Sequence, residues 1–194
     1  MQCEFYSRYF RAHGIKYLSI HLPNGLNGAV FGSRLSDNDN ALLNLSGVSC
    51  YLMQILAPIP EIGLYPSIYG DSIMPLTPTI QGYIRNPDII EGIRNRRMNS
   101  CRMCIEHGYG QLFNLFCIMI RSESHQMFYN GVHIFRLGIV CFFLQNCYVC
   151  FNGSATSTAF NNFVSPPSIA EYLPLDVDFE PYRPVELTGV YNYG

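Results

Sequence analysis

The sequence predicts one α/β domain, and two observations support this fold class. Hydrophobic residues make up 48% of the 194 residues and charged residues only 13%, whereas soluble domains average about 25% charged residues. Such a chain can build an apolar core and lacks the composition of a disordered protein. The spacing of its apolar residues then indicates the order strand, strand, helix, strand, long helix, helix, which is typical of an α/β domain.

The first elements form a predicted hairpin followed by a helix. Residues Tyr17 to Leu22 alternate in polarity, Pro23-Asn24-Gly25 is a turn signal, and Asn27 to Phe31 can return as the second strand. Asn40 to Leu45 has the pattern of a short helix. We expect Asp39 to be its N-cap, because a carboxylate there can accept a free backbone N–H of the first turn.

Two further apolar stretches precede the first candidate site residue. Val48 to Leu56 is the first, and it is closed by Pro58 and Pro60. Ile62 to Tyr69 is a candidate strand, although Pro66 interrupts it and fits better at a sheet edge or before the strand proper. Gly70-Asp71-Ser72 ends that strand.

The second half of the chain is predicted to be mainly helical. Ile89 to about Met119 forms a long helix, within which Gly108 and Gly110 each cost about 1 kcal/mol relative to alanine. Asn130 to Cys150 forms another, which we interpret as a buried helix and not a membrane span, since polar residues interrupt it. Ser165 to Ser168 begins a short helix through Tyr172. We expect residues 1–163 to be the domain and 164–194 a loosely held tail.

Charge and cysteine content narrow the possible functions. A formal net charge of −2 speaks mildly against strong nucleic-acid binding, which draws on a basic surplus. The first 20 residues contain no secretory signal pattern. We expect the eight cysteines to be reduced. Two pairs could bind zinc, but helical spacing favours their packing as small hydrophobes; they are Cys101 with Cys104 and Cys147 with Cys150.

Two acidic residues are candidates for metal chemistry. Asp71 follows a predicted strand, and Glu106 lies 35 residues further on, within a predicted helix. Mg²⁺ binds through one or two carboxylates together with water and phosphate oxygens, and paired metals catalyse phosphodiester cleavage. The spacing alone is weak evidence, because a chain with 14 acidic residues offers many such pairs.

The order of the residues around these carboxylates strengthens the prediction of a metal role for Asp71 and Glu106. They are Phe5 to Tyr17, Leu22 to Leu26, Phe31-Gly32, Asn38 to Leu43, Ser46-Gly47, Tyr69 to Ser72, Thr77-Pro78, Arg85 to Pro87, then Asn95, Arg102, Glu106 and Gly110, and finally Ser165 to Pro167 with Glu171-Tyr172. In order and spacing they resemble the Harbinger-type DDE transposase family. The resemblance covers about residues 4–173.

The resemblance implies an RNase H-like mixed sheet flanked by helices and an Asp-Asp-Glu triad that holds Mg²⁺ or Mn²⁺. Asp71 matches the second acidic residue of the triad and Glu106 the third. Asp39 matches a further family aspartate, a weaker candidate metal ligand, although Asn38 stands where the family has histidine. DNA is the implied partner, with an accessory DNA-binding protein and no membrane. The implied location is the nucleus, or otherwise the cytoplasm.

The chain also departs from the family in two places. The first catalytic aspartate should lie on a leading strand before the Phe5 region, where only Glu4 is found, so we expect that strand to be missing. The stretch from Gly110 to Cys117 carries no basic residue, which weakens the DNA-binding surface. We therefore expect a partial DDE endonuclease that is truncated and inactive. The alternatives are a non-catalytic relict or domesticated domain that binds DNA or protein, and a zinc-stabilised interaction domain.

Overall fold

The computed structural model describes residues 5–9, 11–61, 63, 65–72, 74–119, 131–160 and 164–174. Its strands are β1 (Tyr6–Ser7), β2 (Ala12–His13), β3 (Ile15–His21), β4 (Asn27–Arg34), β5 (Ile68–Tyr69) and β6 (Ile80–Gln81). Its α-helices are α1 (Asp39–Ser46), α2 (Val48–Ile55), α3 (Ile89–Leu115), α4 (Gly131–Asn152), α5 (Ala155–Ala159) and α6 (Ile169–Tyr172). The described chain is therefore mixed α/β, which confirms the predicted class.

The predicted hairpin is present and is longer than expected. Strands β3 and β4 pair antiparallel from Ile15 opposite Arg34 to His21 opposite Asn27, with an irregularity after Ile20. The turn between them needs glycine, because Gly25 has a φ of 90° and a Cβ there would collide with the Ser154 side chain. In the described residues, β1 pairs with β2 antiparallel and β5 with β6 parallel, each pair forming a separate two-stranded sheet.

The hairpin is the middle layer of the structure, because both of its faces are covered. Leu18, Ile20 and Phe31 pack on one side against a cluster formed by α1, α2 and β6, namely Leu43, Val48, Leu52 and Ile80. Tyr17 and Val30 pack on the other side against a cluster from α3 and α4, namely Leu112, Cys141 and Phe142. Strand residues therefore contribute to two separate apolar clusters.

Side chains from the helices bind backbone groups at the edges of the hairpin. At β3, the Tyr109 hydroxyl donates to the Tyr17 carbonyl at 3.3 Å and accepts from the Ser19 hydroxyl at 2.9 Å. At β4, the Asn146 amide accepts from the backbone N–H of Asn27 at 2.8 Å and donates to its carbonyl at 3.0 Å. Backbone N–H and carbonyl groups at the edge of a sheet need hydrogen-bond partners, which a neighbouring strand would normally supply. Here side chains of the helices supply them.

Two local predictions were wrong. The N-cap of α1 is Asn38, whose side chain accepts from the Ala41 N–H at 2.7 Å; Asp39 is the first helical residue, and its carboxylate is drawn to Lys16 at 2.9 Å. Of the stretch from 62 to 69, only Ile68–Tyr69 forms a strand in the described residues, because Pro66 lacks the N–H that a ladder needs. Residues 62 and 64 lie outside the described residues.

The predicted helices are otherwise confirmed in the residues that the structure describes. Helix α3 begins after a capping box, in which Asp88 and Glu91 each bind the other's backbone N–H, and a 3₁₀ turn, Cys117–Met119, follows it. Gly108 lets α3 approach the hairpin closely, since a Cβ there would lie 2.8 Å from the His21 ring. The short helix α6 begins at the predicted place, with Ser168 as N-cap. Residues 175–194 of the predicted tail lie outside the described residues.

Helix α4 is buried on one face and exposed on the other. Its inward face includes Gln145 and Asn146, and Tyr172 of α6 accepts a hydrogen bond from Asn146 at 2.9 Å. The 19 residues Ile134–Asn152 are long and apolar enough to cross a membrane by length and composition, and 33% of that stretch is buried inside the protein. Its outward residues form an exposed apolar stripe consisting of Val140, Phe143, Leu144, Tyr148 and Phe151.

The imidazole of His21 is held inside the polar network beside α4. Its Nδ1 lies 3.2 Å from Asn27 Oδ1, and its Nε2 lies 3.2 Å from Thr156 Oγ1. An amide oxygen only accepts, so Nδ1 carries the proton and Thr156 donates to Nε2. Burial lowers the pKa of His21 below its ordinary value of 6.5, and the Asn27 contact opposes this in part.

Asn146→Ala should lower the free energy of unfolding by about 2–5 kcal/mol, because the N–H and carbonyl of buried Asn27 each lose a partner. Urea-induced unfolding measures this change. Asn152→Ala, at the exposed end of the same helix, should change the stability by no more than about 0.5 kcal/mol. Equal losses in the two variants would contradict the role given to Asn146.

The protein should become less stable as the pH falls from 7 to 5, in part through His21. Its pKa is lower in the folded state than in the unfolded chain, so the unfolded chain takes up the proton more readily and gains stability below about pH 6.5. Urea unfolding at both pH values should show a smaller loss for His21→Gln than for the unaltered protein. The same loss in both proteins would rule out His21 as a source of the pH dependence.

Candidate functional site

Asp71 is held in a tight turn directly after β5. Its Oδ1 accepts the Ser72 N–H at 2.7 Å, and its carbonyl accepts the Met74 N–H at 2.9 Å. Gly82 permits this turn, because a Cβ there would lie 2.9 Å from the Met74 carbonyl oxygen. The carboxylate therefore has a defined orientation, while its side chain remains 55% exposed.

Helix α3 is fastened near this turn by Asn95. The buried Asn95 amide accepts from the Ile84 N–H at 3.2 Å and donates to the Ile84 carbonyl at 2.9 Å. Arg94 adds a bond to Gln81 Oε1 of β6 at 2.7 Å. Because Arg102 follows Asn95 by two helical turns, these contacts set where Arg102 lies relative to β5.

Arg102 joins the two predicted metal ligands. Its Nη1 lies 4.0 Å from Asp71 Oδ1, and its Nη2 lies 3.3 Å from Glu106 Oε1, one helical turn further along α3. The structure thus brings Asp71 and Glu106 to the same guanidinium group. The i, i+4 spacing indicates the Arg102–Glu106 pair from the sequence, whereas the contact with Asp71 depends on tertiary structure.

A polar pocket of about 290 Å³ opens at this place. The sequence analysis did not single out two of its lining residues, Tyr83 and Asn99. The full lining consists of Tyr69, Gly70, Asp71, Ser72, Tyr83, Asn99 and Arg102. Asn99 precedes Arg102 by three residues, so helical spacing alone could have placed it on this face. Burial raises the pKa of the Tyr69 phenol, while the charges of Arg102 and Arg94 act in the opposite direction. Of these two arginines, Arg102 lines the pocket itself.

Asp39, the weaker candidate ligand, is engaged elsewhere. Its Oδ1 lies 2.9 Å from Lys16 Nζ, which also donates to the Asp37 carbonyl at 3.0 Å. Among the residues that the structure describes, no group of three or more His, Cys, Asp or Glu side chains could hold a metal ion. The structure therefore does not bring Asp39 into a three-ligand group with Asp71 and Glu106.

The paired cysteines are free thiols in the described part of the chain and form no zinc centre there. Cys104 is buried, and burial raises the pKa of its thiol above the ordinary value, with neighbouring Cys101 acting in the same direction. Burial likewise raises the pKa of Cys150, next to Cys147. Because these thiols belong to no group of three or more metal-ligating side chains in the described residues, packing is the better interpretation.

Comparison with protein-family models, with curated proteins and with solved structures finds no match to this chain. The resemblance to Harbinger-type DDE transposases therefore stays a prediction.

The site offers two carboxylates to a hard cation. Mg²⁺ or Mn²⁺ can bind through one or two carboxylates and complete its shell with water, and Asp71 and Glu106 are exposed carboxylates that already share one positive group. A two-metal centre needs more carboxylate oxygens than this pair supplies within the described residues. Two carboxylates that flank a guanidinium, with no third metal-ligating side chain among the described residues, do not by themselves form a complete cation site.

Arg102→Met should change the free energy of unfolding by less than about 1 kcal/mol, since ion pairs between exposed side chains contribute little. Urea unfolding in low salt measures the change. A loss several times larger would mean that Arg102 is a structural residue, and would contradict its assignment to an exposed site.

Proposed function

We propose that this chain is a transposase-derived, RNase H-like nuclease domain of the Harbinger DDE type, in which Asp71 and Glu106 supply two carboxylates to Mg²⁺ or Mn²⁺. The reaction class is hydrolysis of DNA phosphodiester bonds. With only two of the three family carboxylates, we expect the chain by itself to be inactive as an endonuclease.

One observation carries this proposal: a strand-end aspartate and a helix-borne glutamate meet at one guanidinium, beside a polar pocket. The finer fold assignment draws support from an antiparallel hairpin, a parallel strand pair and helices on both faces of the hairpin.

The chemistry of each group follows from its position. A bound divalent cation would polarise a phosphate oxygen and favour attack by water. Asp71, which lines the pocket and is oriented by the Ser72 N–H, and Glu106, which shares the Arg102 guanidinium with it, would hold that cation. Arg94, Arg96 and Arg97 lie exposed on α3, where they could contact DNA phosphates. With a net charge of −2, we expect DNA binding to be weak and sensitive to salt.

Mn²⁺ binding followed by electron paramagnetic resonance tests the metal site. We expect one weak site, whose affinity falls several-fold or is lost in Asp71→Asn and in Glu106→Gln. Glu61→Gln is the matched control, because Glu61 is an exposed carboxylate that is not one of the two partners of Arg102. The same Mn²⁺ affinity in all four proteins would remove both carboxylates from any metal role.

Nicking of supercoiled plasmid DNA in Mg²⁺ or Mn²⁺ tests the catalytic part of the proposal. The unaltered protein should nick no faster than Asp71→Ala, because two carboxylates leave the site incomplete. Faster nicking that Asp71→Ala abolishes would show an active nuclease and refute the expected inactivity.

A non-catalytic relict that binds a protein partner is the second candidate. The exposed apolar stripe on α4 favours it, since contiguous apolar surface of this kind is typical of interaction sites. If the protein is such a relict, Asp71 is not needed for its function. An Asp71→Asn variant that changes neither Mn²⁺ binding nor nicking would support this second candidate.

A further inference from the structure

The exposed apolar stripe on α4 has the spacing of a helix–helix contact. Its residues follow one another in steps of three or four from Val140 through Leu144 and Tyr148 to Phe151, so they lie on one side of the helix over three turns. Half-buried Cys147 lies among them on the same side. Rows of side chains at this spacing fit into the grooves of another helix.

No charged residue interrupts this surface. The stretch from Leu137 to Phe151 contains no Asp, Glu, Lys, Arg or His. In a pair of identical chains related by a two-fold axis, the same patch lies on both sides of the contact, so a charged patch would oppose its own sign. The stripe meets no such repulsion, and homodimer interfaces are more apolar than those between different proteins. Its chemistry therefore favours a second copy of this chain as the partner.

The area of the stripe suits a weak dimer. An aromatic side chain has about 150–250 Å² of surface, and the stripe residues are between 39% and 71% exposed. Together they expose roughly 400–500 Å² of apolar surface, so two copies would bury roughly 800–1,000 Å² at the stripe alone. Biological interfaces generally exceed about 1,000 Å², and weak or transient ones lie near that value.

A lipid surface fits α4 less well than a second copy does. Helices that lie in the membrane interface are rich in Lys and Arg on their polar face. The polar residues on the inward face of α4 are instead the amides Gln145 and Asn146, which are hydrogen-bonded to Gly108 of α3 and Asn27 of β4. Insertion of the whole helix into a bilayer would break these bonds.

We propose that two copies of this chain associate through α4, with their exposed apolar stripes packed against each other about a two-fold axis. Because the buried area is small, the Kd should be on the order of micromolar. The inference goes beyond the proposed function, since it requires no metal role for Asp71 or Glu106. The dimer and the metal site can therefore fail independently.

Sedimentation equilibrium of the full chain is the direct test. The mass of the unaltered protein should rise from that of one chain, 22.0 kDa, toward twice that value as the concentration increases. Leu144→Glu should weaken the association by about tenfold or more, because it places two like charges in an apolar contact. Phe151→Glu should act in the same direction at the most exposed position of the stripe, and serves if Leu144→Glu folds poorly.

Met53→Glu is the matched control. Met53 is 52% exposed on α2, outside the stripe, so this variant adds the same charge at an apolar position of comparable exposure. Its Kd should stay within about twofold of that of the unaltered protein. Far-UV circular dichroism of all variants shows whether they retain the helical content of the unaltered protein.

Three results would overturn the inference. The first is a single-chain mass at every concentration up to about 1 mM. The second is a dimer that neither stripe variant weakens, or that Met53→Glu weakens equally. The third is binding of the monomer to neutral phosphatidylcholine vesicles that Leu144→Glu abolishes, which would assign the stripe to a lipid surface.

Discussion

The structure depends on the helices that pack against the two-stranded hairpin and bind its edges. A hairpin in water is marginal, since it exposes two apolar faces and two edges of unpaired backbone groups. Here both faces are packed, and helix side chains bind at the edges. The Asn146 amide satisfies both backbone groups of Asn27, and the Tyr109 hydroxyl binds at Tyr17 and Ser19. These polar contacts decide how α3 and α4 lie against β3 and β4.

A similar contact between a side-chain amide and the backbone positions the candidate site. Asn95 binds both backbone groups of Ile84 with its side-chain amide, as Asn146 does for Asn27. It fastens the first half of α3 to the segment after β6, while Gly108 and Tyr109 fasten the second half to β3. Arg102 lies between these two anchored parts. Its approach to Asp71 therefore follows from the way a buried amide and a close helix–strand contact orient one long helix.

Much of the fold could be read from the sequence because local patterns decide it. The alternation from Tyr17, the Pro23-Asn24-Gly25 turn and the long apolar helical stretches all predicted elements that the structure contains. One error occurred where a distant residue competes. Asp39 is an acceptable N-cap by its type, but Lys16 on the neighbouring strand binds its carboxylate, and Asn38 provides the cap instead.

For the site, the sequence by itself determined the residue types and one contact. It supplied a strand-end Asp71, a helix-borne Glu106 and the Arg102–Glu106 spacing, because one helical turn brings residues four apart together. Only the tertiary structure decided that Arg102 also reaches Asp71 and that Asp39 lies with Lys16 outside the pair. The reason is that these contacts join segments whose relative positions are set by packing and by buried amide bonds, which no local spacing encodes.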